Sequence, residues 1–412
     1  MTYHNAIKYL QQAPKESSDS QALTLLWEAL DAPQRSLKYL RFTGSSGKSA
    51  CAALLISAFR NSEHVVGSLS LPFQNDGKYN ILINAETLPS EHFTSYVKQI
   101  VYAIKKINLE RNNEIAEKES TQEVAPMVLS QSELLLSVAL LAFREHRCSF
   151  CLIESEASPN DPTRRLPSPF AAAICGTIPS EHQKELQQIR SYIVHGIREI
   201  ISAPQDQIAY RLISETCAAV NCRLTIPTKS ELNIARLSLS GSEFSYKNKN
   251  YKLGLCGKFQ ITNATVVLET INMLSRYGYT LSTEQISNGL LTTKIPARFE
   301  IISVSPTIIV DSTHSESAVS VVCDALSDFS AILGDRLRLC LPFGDLSKQY
   351  AVALTSCGYT VESTFLYDSG TGTKELVSAF FQTLSKNDVL LISGHYDKTV
   401  KIREELLKQL QK

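Results

Sequence analysis

Across 412 residues, 41 Lys and Arg balance 41 Asp and Glu, so the formal net charge with neutral His is zero, which argues against nucleic-acid wrapping as the primary role. Hydrophobic residues at 43% and charged residues at 20% exclude a disordered chain. At roughly 100–200 residues per domain the length implies two or three domains, each large enough to bury a core without disulfides.

No stretch reaches the ~20 apolar residues of a membrane helix, and the opening MTYHNAIKYL lacks the basic-then-apolar pattern of a secretory signal. A cytoplasmic location with no membrane partner is expected, and ten scattered cysteines fit reduced thiols. Cys148 and Cys151 alone have CxxC spacing; without a second pair to complete a zinc site, they read as core thiols in a buried strand.

In chain order, helices are expected over 3–11 and 20–30, followed by a short strand over 37–42 that runs into TGSSGKSA. A helix over 48–60 follows, with Ala52, Leu55, Ile56 and Phe59 at spacings of three and four on its buried face. A strand over 64–69 completes a β-loop-α-β unit. The polar stretch 110–124 reads as a solvated loop. An apolar helix over 132–144 then leads into a strand over 149–154. Pro159, Pro162, Pro167 and Pro169 deny regular structure to the segment after it.

FAAAICG reads as a buried strand, with helices expected over 181–201 and 207–220. Alternation over 237–253 predicts an antiparallel accessory sheet whose hairpin turns at NKN. Helices over 259–276 and 283–291 come next. From Thr307 onward strands and helices alternate strictly, which predicts a small α/β domain with a mostly parallel sheet. The boundary is placed at Pro296, giving domains 1–296 and 297–412.

The feature that carries chemistry is Gly44-Ser45-Ser46-Gly47-Lys48-Ser49, set between a strand and a helix N-terminus. Free N–H groups and the helix dipole there favour a bound phosphate. Lys48 suits the terminal phosphates of ATP and Ser49 a magnesium ion. Phe42 stands where the longer Walker spacing has glycine, so the loop is the short GxxGKS type.

With this loop, the chain resembles the folylpolyglutamate synthase/dihydrofolate synthase branch of the Mur ligase family along nearly its whole length. DAPQRSLKYLRFTGSSGKSA is similar to the segment ending in that branch's TGTNGKGS loop. LGLCGKFQITNATVVLETI is similar to its G-x-H-Q-x-x-N-A helix start, with Gly257, Gln260, Asn263 and Ala264 in place. Pro296 to Glu300 looks like PGRFE, Asp311 to Ser315 like DGAHN, and LLISGHY like the last strand and its glycine.

The resemblance implies an α/β fold: a P-loop-type three-layer ATPase domain joined to a smaller Rossmann-like domain, with ATP and substrate in the cleft between them. It implies an ATP- and magnesium-dependent ligase joining glutamate or another amino acid to a carboxylate, with folate as the substrate class. It also implies roles for single residues. Glu154 and His182 would hold magnesium with Ser49 and serve the reaction with Lys48. Asn263, Arg298, Asp311 and His314 would reach the nucleotide together with the loop. Glu133 resembles the glutamate of the branch's F-E helix. Read from the residues alone, Glu154 is also compatible with a solvated carboxylate, His182 with an exposed first-turn residue, Arg298 with a surface arginine, Asp311 with a strand-end cap and Glu133 with a carboxylate at a helix start.

The chain departs from the pattern in one chemically weighty place. From Glu185 to Thr228 it has no lysine, whereas the resemblance places a carbamylated lysine a few turns after His182 to hold a second magnesium. Phe259 stands for the histidine of H-Q and Ser315 for the asparagine of DGAHN. The expected partners are an acid and an amino acid acting on a monomer. The competing expectation is a non-catalytic or regulatory descendant that keeps the fold and nucleotide affinity.

Overall fold

The structure is a computed structural model and describes all residues except 17–20, 45, 73–76, 78, 118–125, 155–159, 179–182, 194–196, 313–315, 343–344, 368–369, 371 and 412. The chain divides into two compact units, Met1–Pro227 with Val266–Gly289, and Thr228–Thr265 with Leu290–Lys412.

The first unit is built on β1 (Tyr39–Thr43), β2 (Val66–Ser70), β3 (Ile81–Ile83), β4 (Glu86–Thr87), β5 (Phe150–Glu154), β6 (Ala171–Ile174), β7 (Glu199–Ser202) and β8 (Arg223–Thr225). They form one sheet in the order β4-β3-β2-β5-β1-β6-β7-β8. From β2 to β8 the pairing is parallel, and β3 and β4 close one edge antiparallel. Helices Tyr3–Gln12, Ala22–Ala29, Ser90–Glu117 and Gln131–Glu145 share a core with Tyr39, Cys151 and Ile153. Helices Gln183–Ile193 and Gln207–Ala219 bury Leu186, Ile189, Ile193, Ala209 and Ile213 with Ala172 and Ile174.

Helix Lys48–Phe59 packs on β1, β2 and β5. All four residues of the expected face are buried, and Ala50, Cys51, Leu54 and Ala58 are buried as well. A second layer explains the excess: a side chain at Gly289 would meet the Ala58 backbone at 2.4 Å, so helix Thr283–Thr292 lies directly against it. β1 lies inside the sheet with all five residues buried. From β1 the chain crosses to β2 on one side, and from β5 it crosses to β6 on the other. Their carboxyl ends are therefore a switch point, where open α/β sheets leave a crevice for ligands.

The second unit contains β9 (Leu232–Ser238), β10 (Gly241–Tyr246) and β11 (Lys249–Leu253) in an antiparallel sheet. Its hairpin turns at Lys247 and Asn248, both at positive φ, slightly earlier than the NKN expected, because Lys249 and Asn250 already pair in β11. A five-stranded sheet combines β12 (Glu300–Val304), β13 (Thr307–Asp311), β14 (Arg336–Pro342), β15 (Thr360–Tyr367) and β16 (Val389–Ser393) in the order β12-β13-β16-β14-β15. It is parallel except for the β12 edge. Leu237 and Leu239 pack on the core of this sheet, so the accessory sheet groups with the second unit.

The fold is α/β with two parallel-rich sheets, as expected, but three local expectations differ. The helix expected over 181–201 ends at Ile193, and Glu199–Ser202 is a strand. The β-branched Ile200 and Ile201 are buried where β7 extends the parallel sheet beside β6. The stretch expected as a loop over 110–124 is helical as far as Glu117. Phe93, Tyr96, Val97, Ile100 and Ile107 anchor that helix, and each further residue adds one hydrogen bond at little cost. Within the proline-rich segment, Pro162–Arg165 forms a short 3₁₀ helix, with Pro162 at its start and the Asp161 carboxylate accepting from Thr163 N at 2.8 Å.

Candidate nucleotide site

The glycine loop leaves the carboxyl end of β1 and enters helix Lys48–Phe59 through Gly47, whose φ of 75° is left-handed. Gly44 has φ 122°, and a Cβ there would lie 2.1 Å from the Cys175 carbonyl oxygen. The backbone of Cys175 is itself tied to the strand, its N–H donating to Thr43 O at 2.7 Å. Gly176 has the same close approach from the other side: a Cβ would lie 2.2 Å from Ser46 Oγ. These two glycines let the loop seat against the segment after β6, which an unconstrained Gly/Ser turn does not require. Lys48 is half-buried and its Nζ donates back to Gly44 O at 2.5 Å. Ser46 is exposed; Ser45 lies outside the described residues.

One residue on, Ser49 Oγ donates to Glu154 Oε2 at 2.9 Å across 105 residues of sequence. β1 and β5 are adjacent and in register from Tyr39 with Cys151 to Phe42 with Glu154, so the helix start after β1 faces the last residue of β5. Glu154 is 8% exposed. A hydroxyl and a carboxylate are the hard oxygen donors that suit magnesium, which takes few protein ligands and fills the rest with water and phosphate oxygens. The residues therefore fit that ion. Among the described residues no cluster of three His, Cys, Asp or Glu side chains forms a fuller cage. His182 lies outside the described residues.

In the second unit, Asn263 is buried in helix Lys258–Arg276 and donates from Nδ2 to Gln260 Oε1 at 3.0 Å. Arg298 is half-buried and, among the described residues, has no hydrogen-bond or ion-pair partner. Its neighbours Ala297 and Phe299 have φ of 53° and 48°. Asp311 ends β13 and its Oδ2 accepts from Phe299 N at 2.8 Å, so this carboxylate holds the backbone beside Arg298. His314 lies outside the described residues.

No family model matches the chain. The folylpolyglutamate synthase of Lacticaseibacillus casei is 21% identical over 342 residues, covering 79% of this chain and 77% of its own. The dihydrofolate synthase/folylpolyglutamate synthase of Bacillus subtilis is 20% identical over 321 residues, covering 73% and 70%. The structure of the apo L. casei enzyme superposes with a TM-score of 0.80 at 17% identity over 100% of both chains. A folylpolyglutamate synthase–AMPPCP–folate complex gives 0.79 at 17% identity over 99% of this chain and 100% of that one. Over most of its length the chain is similar to folylpolyglutamate synthases, and it has their fold.

In this folylpolyglutamate synthase-like chain, Glu133 has a local partner. It closes a capping box with Ser130: its Oε2 accepts from Ser130 N at 2.8 Å and Ser130 Oγ at 2.9 Å, while Glu133 N donates to Ser130 Oγ. That geometry matches the helix-start reading of this carboxylate. Glu133→Ala is expected to cost about 1 kcal/mol of stability and leave turnover per folded molecule unchanged, as thermal melts and steady-state rates will report. Cys151 is a free, buried cysteine in β5, and burial together with its thiol hydrogen bond to Cys148 pushes its pKa up, so it stays protonated.

Three residues near the loop of this folylpolyglutamate synthase-like chain were not singled out from sequence. Cys51, one turn into the helix, is buried against Cys175; their thiol contact, burial and the nearby Glu154 carboxylate all push Cys51 up and keep it a neutral thiol. Arg41 is buried inside β1 and its Nη2 donates to Thr163 O at 2.8 Å, tying the central strand to the 3₁₀ helix after β5. A cation flanked by Tyr39, Leu40 and Phe42 inside a strand was its available signal.

Proposed function

We propose that the chain is an ATP-dependent ligase that joins glutamate, or another amino acid, to a carboxylate substrate of the folate class through an acyl phosphate. The observation that carries this reading is the pairing of Ser49 with Glu154 beside Lys48, at the carboxyl ends of two adjacent parallel strands. The named enzymes among its relatives favour ligation over the non-catalytic alternative.

In this reading the substrate carboxylate attacks the γ-phosphorus of ATP and ADP departs, leaving an acyl phosphate. The amino group of the incoming amino acid then attacks the acyl carbon, the amide forms, and phosphate leaves with the proton passing to solvent or base. The loop amides from Ser45 to Lys48 cradle the phosphates, and Lys48 leaves Gly44 O to meet the charge that develops as the γ-phosphoryl group transfers. Ser49 and Glu154, with His182, would hold magnesium, which supplies charge neutralisation at the phosphates. Without the carbamylated lysine, these donors carry the metal role.

Arg298 is assigned to phosphate and Asp311, His314 and Asn263 to the rest of the nucleotide. An arginine fork suits phosphate oxygens, and a carboxylate suits a ribose hydroxyl better than another anion. The ATP-binding function is assigned to 1–296 and the ligase domain to 297–412, in a cytoplasmic monomer that uses no nucleic acid.

Incubation with ATP, magnesium, a panel of folates and glutamate tests the activity. Release of ADP should require both the acid and the amine, with an amide product in the mass spectrum; ADP release independent of either reactant overturns ligation. Glu154→Gln removes one anionic oxygen beside Ser49, and the apparent magnesium requirement is expected to rise about 10- to 100-fold. A magnesium titration of turnover with that variant checks it, and an unchanged curve removes Glu154 from the metal site.

A further inference from the structure

The loop that presents Arg298 is pinned by a carboxylate from each side. Glu300 Oε2 accepts from Ala297 N at 2.8 Å. The same carboxylate receives a bidentate fork from Arg403, with Nε to Oε2 at 2.5 Å and Nη2 to Oε1 at 2.7 Å. Arg403 belongs to the last helix, Tyr396–Leu410. Opposite, Asp311 Oδ2 accepts from Phe299 N at 2.8 Å, and Ser312 N donates to Ala297 O at 2.8 Å.

These bonds hold Ala297 and Phe299 in left-handed backbone, which side-chain-bearing residues adopt only at a cost. A loop held in that form at a cost needs a fixed anchor, and the anchor is an ion pair whose two members are only 18% and 19% exposed. The residue between the two strained positions is Arg298, whose guanidinium has no partner among the described residues. The backbone is thus fixed on both sides of a cation that is left available.

We propose that Arg403, acting through Glu300, is a positioning residue that fixes the 297–299 loop so that Arg298 meets the phosphates of the nucleotide. The inference rests on the phosphate role assigned to Arg298 under the proposed function. Nothing in it requires Arg403 to touch a ligand. Its guanidinium is committed to Glu300, which also holds it strongly protonated. Because Glu300 shares one oxygen between Ala297 N and Arg403, loss of the fork frees that carboxylate to swing and releases the amide immediately before Arg298.

Calorimetric titration of the full chain with AMPPCP and magnesium tests this, with thermal melts run in parallel. Arg298→Ala and Arg403→Met are each expected to weaken AMPPCP about tenfold, the effect of losing one charge-assisted contact. In the double variant the affinity should equal that of Arg298→Ala, because the second change acts through the first. Arg403→Lys keeps the charge without the fork and should lose roughly threefold, between wild type and Arg403→Met. A purely structural ion pair would lower the melting temperature and either leave AMPPCP affinity alone or add its loss to that of Arg298→Ala; either result overturns the proposal. If Arg298→Ala itself binds AMPPCP as wild type does, the phosphate role of Arg298 falls and the positioning role with it. If Arg403→Met does not fold, the same comparison with Arg403→Lys, alone and combined with Arg298→Ala, decides the question.

Discussion

Lys48→Met is expected to lower ATP-dependent turnover by about 10²- to 10³-fold, the range for removing one preorganised group aimed at developing charge. Folding should be nearly unaffected. Lys48 is half-buried, and its ammonium donates a hydrogen bond to Gly44 O, a carbonyl at the mouth of the loop where water can replace the ammonium. The loop is shaped by other forces: the left-handed Gly47, and Gly44 seated on Cys175. Methionine keeps most of the stem and removes the charge. Steady-state rates with a melting curve on the same sample check the prediction. A variant that melts like wild type and turns over within tenfold of it would remove Lys48 from phosphoryl transfer.

Gly44→Ala is the largest stability change expected from a single methyl group. Two costs act together. The backbone at φ 122° disfavours any L side chain, and the added Cβ would lie 2.1 Å from the Cys175 carbonyl oxygen, which is backbone and not a movable side-chain tip. Cys175 cannot retreat without breaking its N–H bond to Thr43 O. The expected destabilisation is about 3 kcal/mol or more, with loss of AMPPCP binding in whatever fraction remains folded. Gly278→Ala is the matched control. Its φ is 88° with nothing within 4 Å of the added Cβ, so only the backbone term of about 1–2 kcal/mol applies. Chemical denaturation of the two variants separates the terms; equal midpoints would mean that the loop does not press on Cys175.

The loop was legible from sequence because its chemistry is local. A strand, two glycines three apart and a lysine at a helix start lie within a dozen residues, and each has a steric or electrostatic reason that needs no distant partner. Ser49 and Glu154 are different. No periodicity connects residues 105 positions apart, and their 2.9 Å contact depends on β5 pairing beside β1, which the collinear resemblance implied and the residues alone did not. Glu133 shows the converse: the same resemblance suggested a role for it, while the S-x-x-E spacing with Ser130 already contained the capping box that engages its carboxylate.

Other details required the packed molecule. Arg298 was picked out by its motif, but its presentation between two left-handed residues that are not glycine carries no sequence signal, since such backbone is sustained only by the carboxylates of Glu300 and Asp311. Likewise the run around Ile200 reads as helix from its flanks and becomes strand because an open edge beside β6 accepts its hydrogen bonds and buries its branched side chains.

The amino-acid order by itself determined the alternation of strands and helices, the phosphate loop and the α/β class, all of which follow from short-range periodicity and backbone sterics. Tertiary structure decided which strand ends became neighbours, which carboxylates hold backbone, and that the Arg298 guanidinium has no partner among the described residues. Those outcomes depend on burial and on hydrogen bonds between segments far apart in the chain, where the cost of an unsatisfied group is set by its surroundings and not by its identity.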